Sequence, residues 1–203
     1  MQYIYPFIIS FILIFFSELG DKTQILVLSF SAINKATNIL LGVALGTLFS
    51  HGLAIVFGSQ LGIIGNDTFI YHLKLLTYCT FLIFGITGFL KLKKSAPVDE
   101  TDSKSNVIKF LSSLTQSCVF IVASSIAIGE LGDKTFLSSI GLGVQYPLFK
   151  VPLICGSICG MVACNSIAIF FGKWLSSKIS TSTIEILSNI IFIIFGILGL
   201  LKT

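Results

Sequence analysis

Apolar residues in this chain gather into six long runs, at about residues 4–29, 38–58, 73–91, 115–142, 151–172 and 183–201. A helix that crosses a bilayer takes about 20 mostly apolar residues, and each run can supply one. The only strongly polar stretch runs from Lys91 to Lys109 and carries Lys93, Lys94, Pro97, Asp99, Glu100, Asp102 and Lys104. It reads as an exposed linker that divides the chain into two halves. The pattern predicts an all-α integral membrane protein with six transmembrane helices.

The two halves match each other. Glu18-Leu19-Gly20-Asp21-Lys22-Thr23 recurs 112 residues later as Glu130-Leu131-Gly132-Asp133-Lys134-Thr135. In the following run, Gly42, Gly46, Ala54 and Gly58 match Gly156, Gly160, Ala168 and Gly172, 114 residues on. In the third, Phe84-Gly85, Gly88 and Lys91 match Phe195-Gly196, Gly199 and Lys202, 111 residues on. Three near-equal offsets in order indicate a duplicated unit. The expected division is a first three-helix repeat at 1–92, a cytoplasmic linker at 93–112 and a second three-helix repeat at 113–203. Three spans per unit force the second copy into the membrane upside down relative to the first. That is the inverted-repeat plan of many secondary transporters, whose binding site lies near the midplane between the repeats.

Composition narrows the class. The chain is 54% hydrophobic and 11% charged, against about 25% charged in soluble domains. Its mean hydropathy is +0.98. The net charge of +4 comes from 13 basic residues, all Lys, which form no long patch; a nucleic-acid partner is excluded on that ground. The loops after spans one, three and five hold eight lysines, against three on the other side. The positive-inside rule then places the central linker in the cytoplasm and both termini outside. A plasma or inner membrane is the expected location. The first run contains Glu18 and Asp21 and lacks a basic start, so it reads as a retained span and not as a cleaved signal. Cys79, Cys118, Cys155, Cys159 and Cys164 form no CxxC pair and read as small packing residues.

The chemistry concentrates in the repeated hexamer. Glu18 lies about 21 Å into a span that starts near Ile4, well inside a hydrocarbon layer about 30 Å thick, and Glu130 is placed alike. A charge at that depth costs about 2.5–3.5 kcal/mol on insertion scales. The four acids Glu18, Asp21, Glu130 and Asp133 must therefore face one another, a cation or a polar cavity. On one continuous helix, Glu18 and Asp21 share a face, and Lys22 is spaced to pair with Glu18. Thr23 and Thr135 add hydroxyls beside the acids. Oxygen ligands of this kind suit hard cations such as Ca²⁺, Mg²⁺ and Mn²⁺, and the hexamer contains neither Cys nor His. A purely structural pairing of Glu18 with Lys22 and of Glu130 with Lys134 leaves Asp21 and Asp133 unexplained. Intramembrane aspartyl proteolysis is the enzymatic alternative, since Leu-Gly-Asp echoes Gly-x-Gly-Asp, but Glu18 and Glu130 stand where that signature has Gly. In the second span, His51 and its repeat partner Asn165 are candidate polar helpers. Asp67, His72 and Glu185 fall at loop edges, and Tyr3 and Trp174 suit the membrane interface.

Glu-x-Gly-Asp-(Lys/Arg)-(Thr/Ser), present twice in a six-span chain, resembles the signature of a transmembrane cation/proton exchanger family. That family includes Golgi and chloroplast manganese/calcium–proton exchangers and bacterial manganese exporters. The resemblance covers nearly the whole chain, in the compact form expected of a prokaryotic member. It implies that Glu18, Asp21, Glu130 and Asp133 coordinate the cation and exchange protons, with Lys22, Thr23, Lys134, Thr135, His51 and Asn165 in support. Gln24 follows one copy of the hexamer and Phe136 the other, so the two half-sites need not be equivalent. The implied activity is export of Mn²⁺ first, or Ca²⁺ second, in exchange for protons. The implied partners are the lipid bilayer and the divalent cation. No bound cofactor and no enzymatic activity are expected. A cation channel, an importer or a structural membrane protein are the alternatives.

Overall fold

The computed structural model describes residues 2–19, 21–31, 34–94, 117–178 and 181–201. Every element among them is a helix. In chain order these are α1 (Ile4–Glu18), α2 (Lys22–Ser31), α3 (Ala36–Ile64), α4 (Asp67–Lys94), α5 (Cys118–Glu130), α6 (Lys134–Gln145), a 3₁₀ turn at Pro147–Phe149, α7 (Lys150–Lys178) and α8 (Thr181–Leu200). Three stretches are long and apolar enough to cross a membrane: Ala36–Ile64, Asp67–Leu90 and Pro147–Phe170. Ile4–Glu18, Cys118–Glu130 and Ile186–Leu200 are shorter apolar helices. At 29 residues, α3 is about 43 Å long and exceeds a hydrocarbon core of about 30 Å. Residues 95–112 of the expected linker lie outside the described residues.

The structure corrects the reading of 4–29 and 115–142 as continuous helices. Both break inside the repeated hexamer. α1 ends at Glu18 and α5 at Glu130. The next residue is extended in each case, Leu19 at φ −62°, ψ 119° and Leu131 at φ −61°, ψ 119°. Asp21 N–H then donates to the Glu18 carbonyl at 3.2 Å, and Asp133 N–H to the Glu130 carbonyl at 3.1 Å. In the second copy the turn passes through Gly132 at φ +81°. These are the dihedrals of a type II β-turn, whose third position demands a positive φ and hence glycine. Two closely spaced half-helices replace each expected span, of 15 and 10 residues in the first half and 13 and 12 in the second. Broken helices are tolerated in membranes where their freed backbone groups are buried in protein or line a cavity.

Small residues set how the helices meet. α3 packs on α5 and α6, α7 on α1, and α4 on α8. A Cβ added at Gly42 would stand 2.8 Å from the Val119 carbonyl oxygen, and one at Gly46 2.6 Å from that of Ala123, both on α5. The matching glycines of α7, Gly156 and Gly160, abut the carbonyls of Phe7 and Phe11 on α1. Gly85 of α4 meets Ile193 and Asn189, while its counterpart Gly196 on α8 meets Leu82 and Tyr78. The glycine stripes seen in sequence are thus close-approach seams, and each packs on the opposite half of the chain. Between the seams lies an apolar core of Leu13, Ile14, Val43, Phe81, Val122, Ile126, Met161 and Phe192.

Candidate functional site

The two helix breaks set the geometry. Each leaves a glutamate as the last residue of one half-helix and an aspartate just before the next. The C-terminal end of a helix carries partial negative charge and the N-terminal end partial positive charge. Asp133 therefore sits at the N-cap of α6, extended at φ −77°, ψ 169° with no side-chain capping bond. The start of a helix favours an anion, and no capping bond engages the Asp133 carboxylate. The expectation that Glu18 and Asp21 share one helical face is corrected, because Glu18 ends α1 and Asp21 lies in the turn just before α2.

The acids of the two halves meet. Glu18 is fully buried and Glu130 almost so, at 0% and 1% exposure. One ligand atom from each of Glu18, His51 and Glu130 lies within 4.8 Å of the other two, and the same holds for Glu18, Asp21 and Asp133. Ligands of one Ca²⁺, at about 2.3–2.6 Å from it, stand at most about 5 Å apart, so either triad is of a size to hold a divalent ion. The two triads share Glu18. One is buried throughout, whereas Asp21 and Asp133 in the other are half-buried.

Supporting groups surround them. Thr135 Oγ1, itself buried, donates to Glu130 Oε2 at 3.1 Å. Ser50 Oγ donates back to the Gly46 carbonyl at 3.0 Å and contacts His51 Nδ1 at 3.0 Å. Asn165 on α7 is fully buried and donates from Nδ2 to the Met161 carbonyl at 2.9 Å. Lys134 Nζ stands 5.9 Å from the centre of the Phe192 ring, at the outer limit of a cation–π contact, about 6 Å. The side chains of Lys22 and Thr23 lie outside the described residues, as do those of Trp174 and Glu185. Asp67 and His72 are exposed at the start of α4, as their loop-edge positions predict. Tyr3 is exposed just before α1, with its ring edge-on to Phe149.

Two contributors were not singled out from sequence. Gln24 is buried on α2 and donates from Nε2 to the Cys164 carbonyl at 3.3 Å, tying the first half-site to α7 beside Asn165. Its contrast with Phe136 was the available signal. Ser50 gave none beyond its place next to His51.

The family model for the divalent cation/proton antiporter GDT1 matches residues 6–96 and 118–203. The chain belongs to the GDT1 family. That family comprises membrane transporters of divalent cations and not enzymes. A GDT1-like chloroplastic protein of rice (Oryza sativa subsp. japonica) is 29% identical over 95% of this chain and 61% of its own length. Protein PAM71, chloroplastic, of Arabidopsis thaliana is 27% identical over 92% of this chain and 54% of its own length. A GDT1-like protein of Synechocystis is 24% identical over 95% of both chains. This chain thus spans less than two thirds of the plant relatives it matches. The divalent cation/proton antiporter GDT1 of Saccharomyces cerevisiae is 32% identical over 45% of this chain. No solved structure matches the present chain.

Proposed function

We propose that this chain exchanges a divalent cation, Mn²⁺ first and Ca²⁺ second, for protons, through a site near the membrane midplane built from Glu18, Asp21, Glu130 and Asp133. The observation that carries the reading is the convergence of both hexamer copies at two helix breaks, with their acids within 4.8 Å in shared triads. Carboxylates gathered around the buried Glu18, with Glu130 buried and Asp21 and Asp133 half-buried, repel one another and are costly to desolvate. Such a cluster is satisfied either by protons or by a divalent ion, and a site that takes one at the expense of the other is sufficient for exchange if it opens to each side in turn. Membership of a family of divalent cation/proton antiporters supports the same reading.

In this account the paired half-helices act as single crossings, giving six spans in two inverted units at 1–92 and 113–203. The linker at 93–112 is cytoplasmic and both termini are outside. A metal ion entering from the cytoplasm displaces protons from the cluster. Rocking of one repeat against the other then exposes the site outward, where protonation releases the metal.

Metal-dependent thermal unfolding of the purified chain tests the site. A ligand that binds only the folded state stabilises it by about 2.7 kcal/mol at a hundredfold excess over Kd. Mn²⁺ and Ca²⁺ should each raise the unfolding temperature, and Asp21→Asn and Asp133→Asn should each lose most of that gain. Strong protection by Zn²⁺ that depends on Cys155 and Cys159, both on the exposed side of α7, would show the ligands to be elsewhere.

A further inference from the structure

We infer that His51 is a metal ligand of this site, and that its Nε2 makes the deeper of two stations prefer Mn²⁺ over Ca²⁺. The inference rests on the proposed transport reading and adds a nitrogen donor to what the hexamers alone make an oxygen-only site.

The first observation is geometric. His51 is fully buried in α3, and its ligand atom lies within 4.8 Å of those of Glu18 and Glu130. The second is that His51 Nε2 is buried with no hydrogen-bond partner among the described residues. A buried ring nitrogen left in that state costs about 1–3 kcal/mol, and a ligand that occupies it from time to time accounts for its retention.

The neighbouring hydrogen bonds fix what Nε2 can do. A serine hydroxyl carries one proton. That of Ser50 goes to the Gly46 carbonyl at 3.0 Å. With the Ser50 proton placed on that carbonyl, the 3.0 Å contact between Ser50 Oγ and His51 Nδ1 has Nδ1 as the donor, and this is the tautomer the inference takes. A neutral imidazole protonated on Nδ1 presents a lone pair on Nε2. Metal-binding histidines are held in this way, with one ring N–H donated to an oriented acceptor and the other nitrogen directed at the ion.

The two triads then differ in chemistry as well as depth. Glu18, Asp21 and Asp133 offer oxygen alone, the two aspartates at half-buried positions, and suit any hard divalent ion. Glu18, His51 and Glu130 offer two carboxylates and an imidazole, in full burial. Ca²⁺ takes oxygen ligands, whereas first-row transition ions accept imidazole. Glu18 belongs to both sets, so an ion can pass from the outer to the inner station without losing that ligand. The repeat counterpart of His51 is Asn165, which has no imidazole, so the nitrogen enters from one half only.

The test uses the full chain in lipid nanodiscs with Mn²⁺ as the only added metal. Electron spin echo spectroscopy of bound Mn²⁺ should show coupling to an imidazole ¹⁴N, replaced by ¹⁵N coupling when histidine alone is ¹⁵N-labelled. The chain has two histidines; the signal should survive His72→Gln and vanish in His51→Asn and His51→Gln. In the His51 variants the Ca²⁺ concentration that displaces half of the Mn²⁺ should fall about tenfold or more. Bound Mn²⁺ without histidine nitrogen coupling in the unaltered protein overturns the inference and leaves the carboxylate site standing. An unchanged Ca²⁺/Mn²⁺ competition in both His51 variants overturns it too. An unaltered protein that binds neither Mn²⁺ nor Ca²⁺ overturns the transport reading beneath it.

Discussion

Gly132 carries more of the site's geometry than its lack of a side chain suggests. Its φ of +81° is the conformation that lets the chain stop α5 at Glu130 and restart α6 after Asp133. A Cβ there would meet nothing within 4 Å, so the cost of a substitution is conformational and not steric. Gly132→Ala should destabilise the folded protein by about 1–2 kcal/mol, and Gly132→Asn by less, since Asn tolerates the left-handed region. Chemical unfolding in a mild detergent measures both; an alanine variant as stable as the parent would contradict the turn assignment. The sequence displayed the hexamer but not this turn. Leu-Gly is apolar and glycine is common in membrane helices, so hydropathy runs straight through the break. The same concealment produced the reading of Lys22 as an i+4 partner of Glu18, which presumes a helix that the turn interrupts. His51 was legible only as a polar residue in an apolar run. Its meeting with Glu18 and Glu130, far away in sequence, is a product of the fold.

Among the elements, the glycine seams left a trace in the sequence as the repeat-matched Gly42/Gly46 and Gly156/Gly160, since small residues at four-residue spacing on a membrane helix mark close packing. What sequence could not assign was the partner. The offsets related Gly42 to Gly156 as copies, but only the fold shows α3 seated on α5 and α7 seated on α1. That reciprocity gives a paired expectation. Gly46→Ala puts a Cβ 2.6 Å from the Ala123 carbonyl oxygen and 2.9 Å from Ile126 Cβ, so α3 and α5 must separate, at about 1–3 kcal/mol. Gly52→Ala, on the same helix, meets only Leu48 Cδ1 at 3.4 Å, and the gain in helix propensity should make it neutral or stabilising by about 0.5–1 kcal/mol. Unfolding temperatures of the two variants should therefore move in different directions. Equal losses would mean that the seam is not the contact that matters.

At the scale of the whole molecule, the proposed orientation rests on the lysine asymmetry. A single cysteine at Ser103, in a background with the five native cysteines replaced, should be labelled by an impermeant reagent only when the cytoplasmic side is exposed. Labelling in intact cells would reverse the orientation while leaving the helix packing untouched. The central claim is coupling. On the proposed reading, a carboxylate cluster that takes either protons or a divalent ion should exchange one for the other. The direct measurement is Mn²⁺ flux into sealed proteoliposomes with and without an imposed pH gradient, with a protonophore control and with Glu18→Gln and Glu130→Gln beside the unaltered protein. Mn²⁺ uptake should be driven by an acidic interior, release protons as metal enters and collapse with the protonophore, and neither glutamine variant should show coupled flux. Rapid flux that saturates weakly and ignores both the gradient and the protonophore would contradict coupling and make the protein a channel.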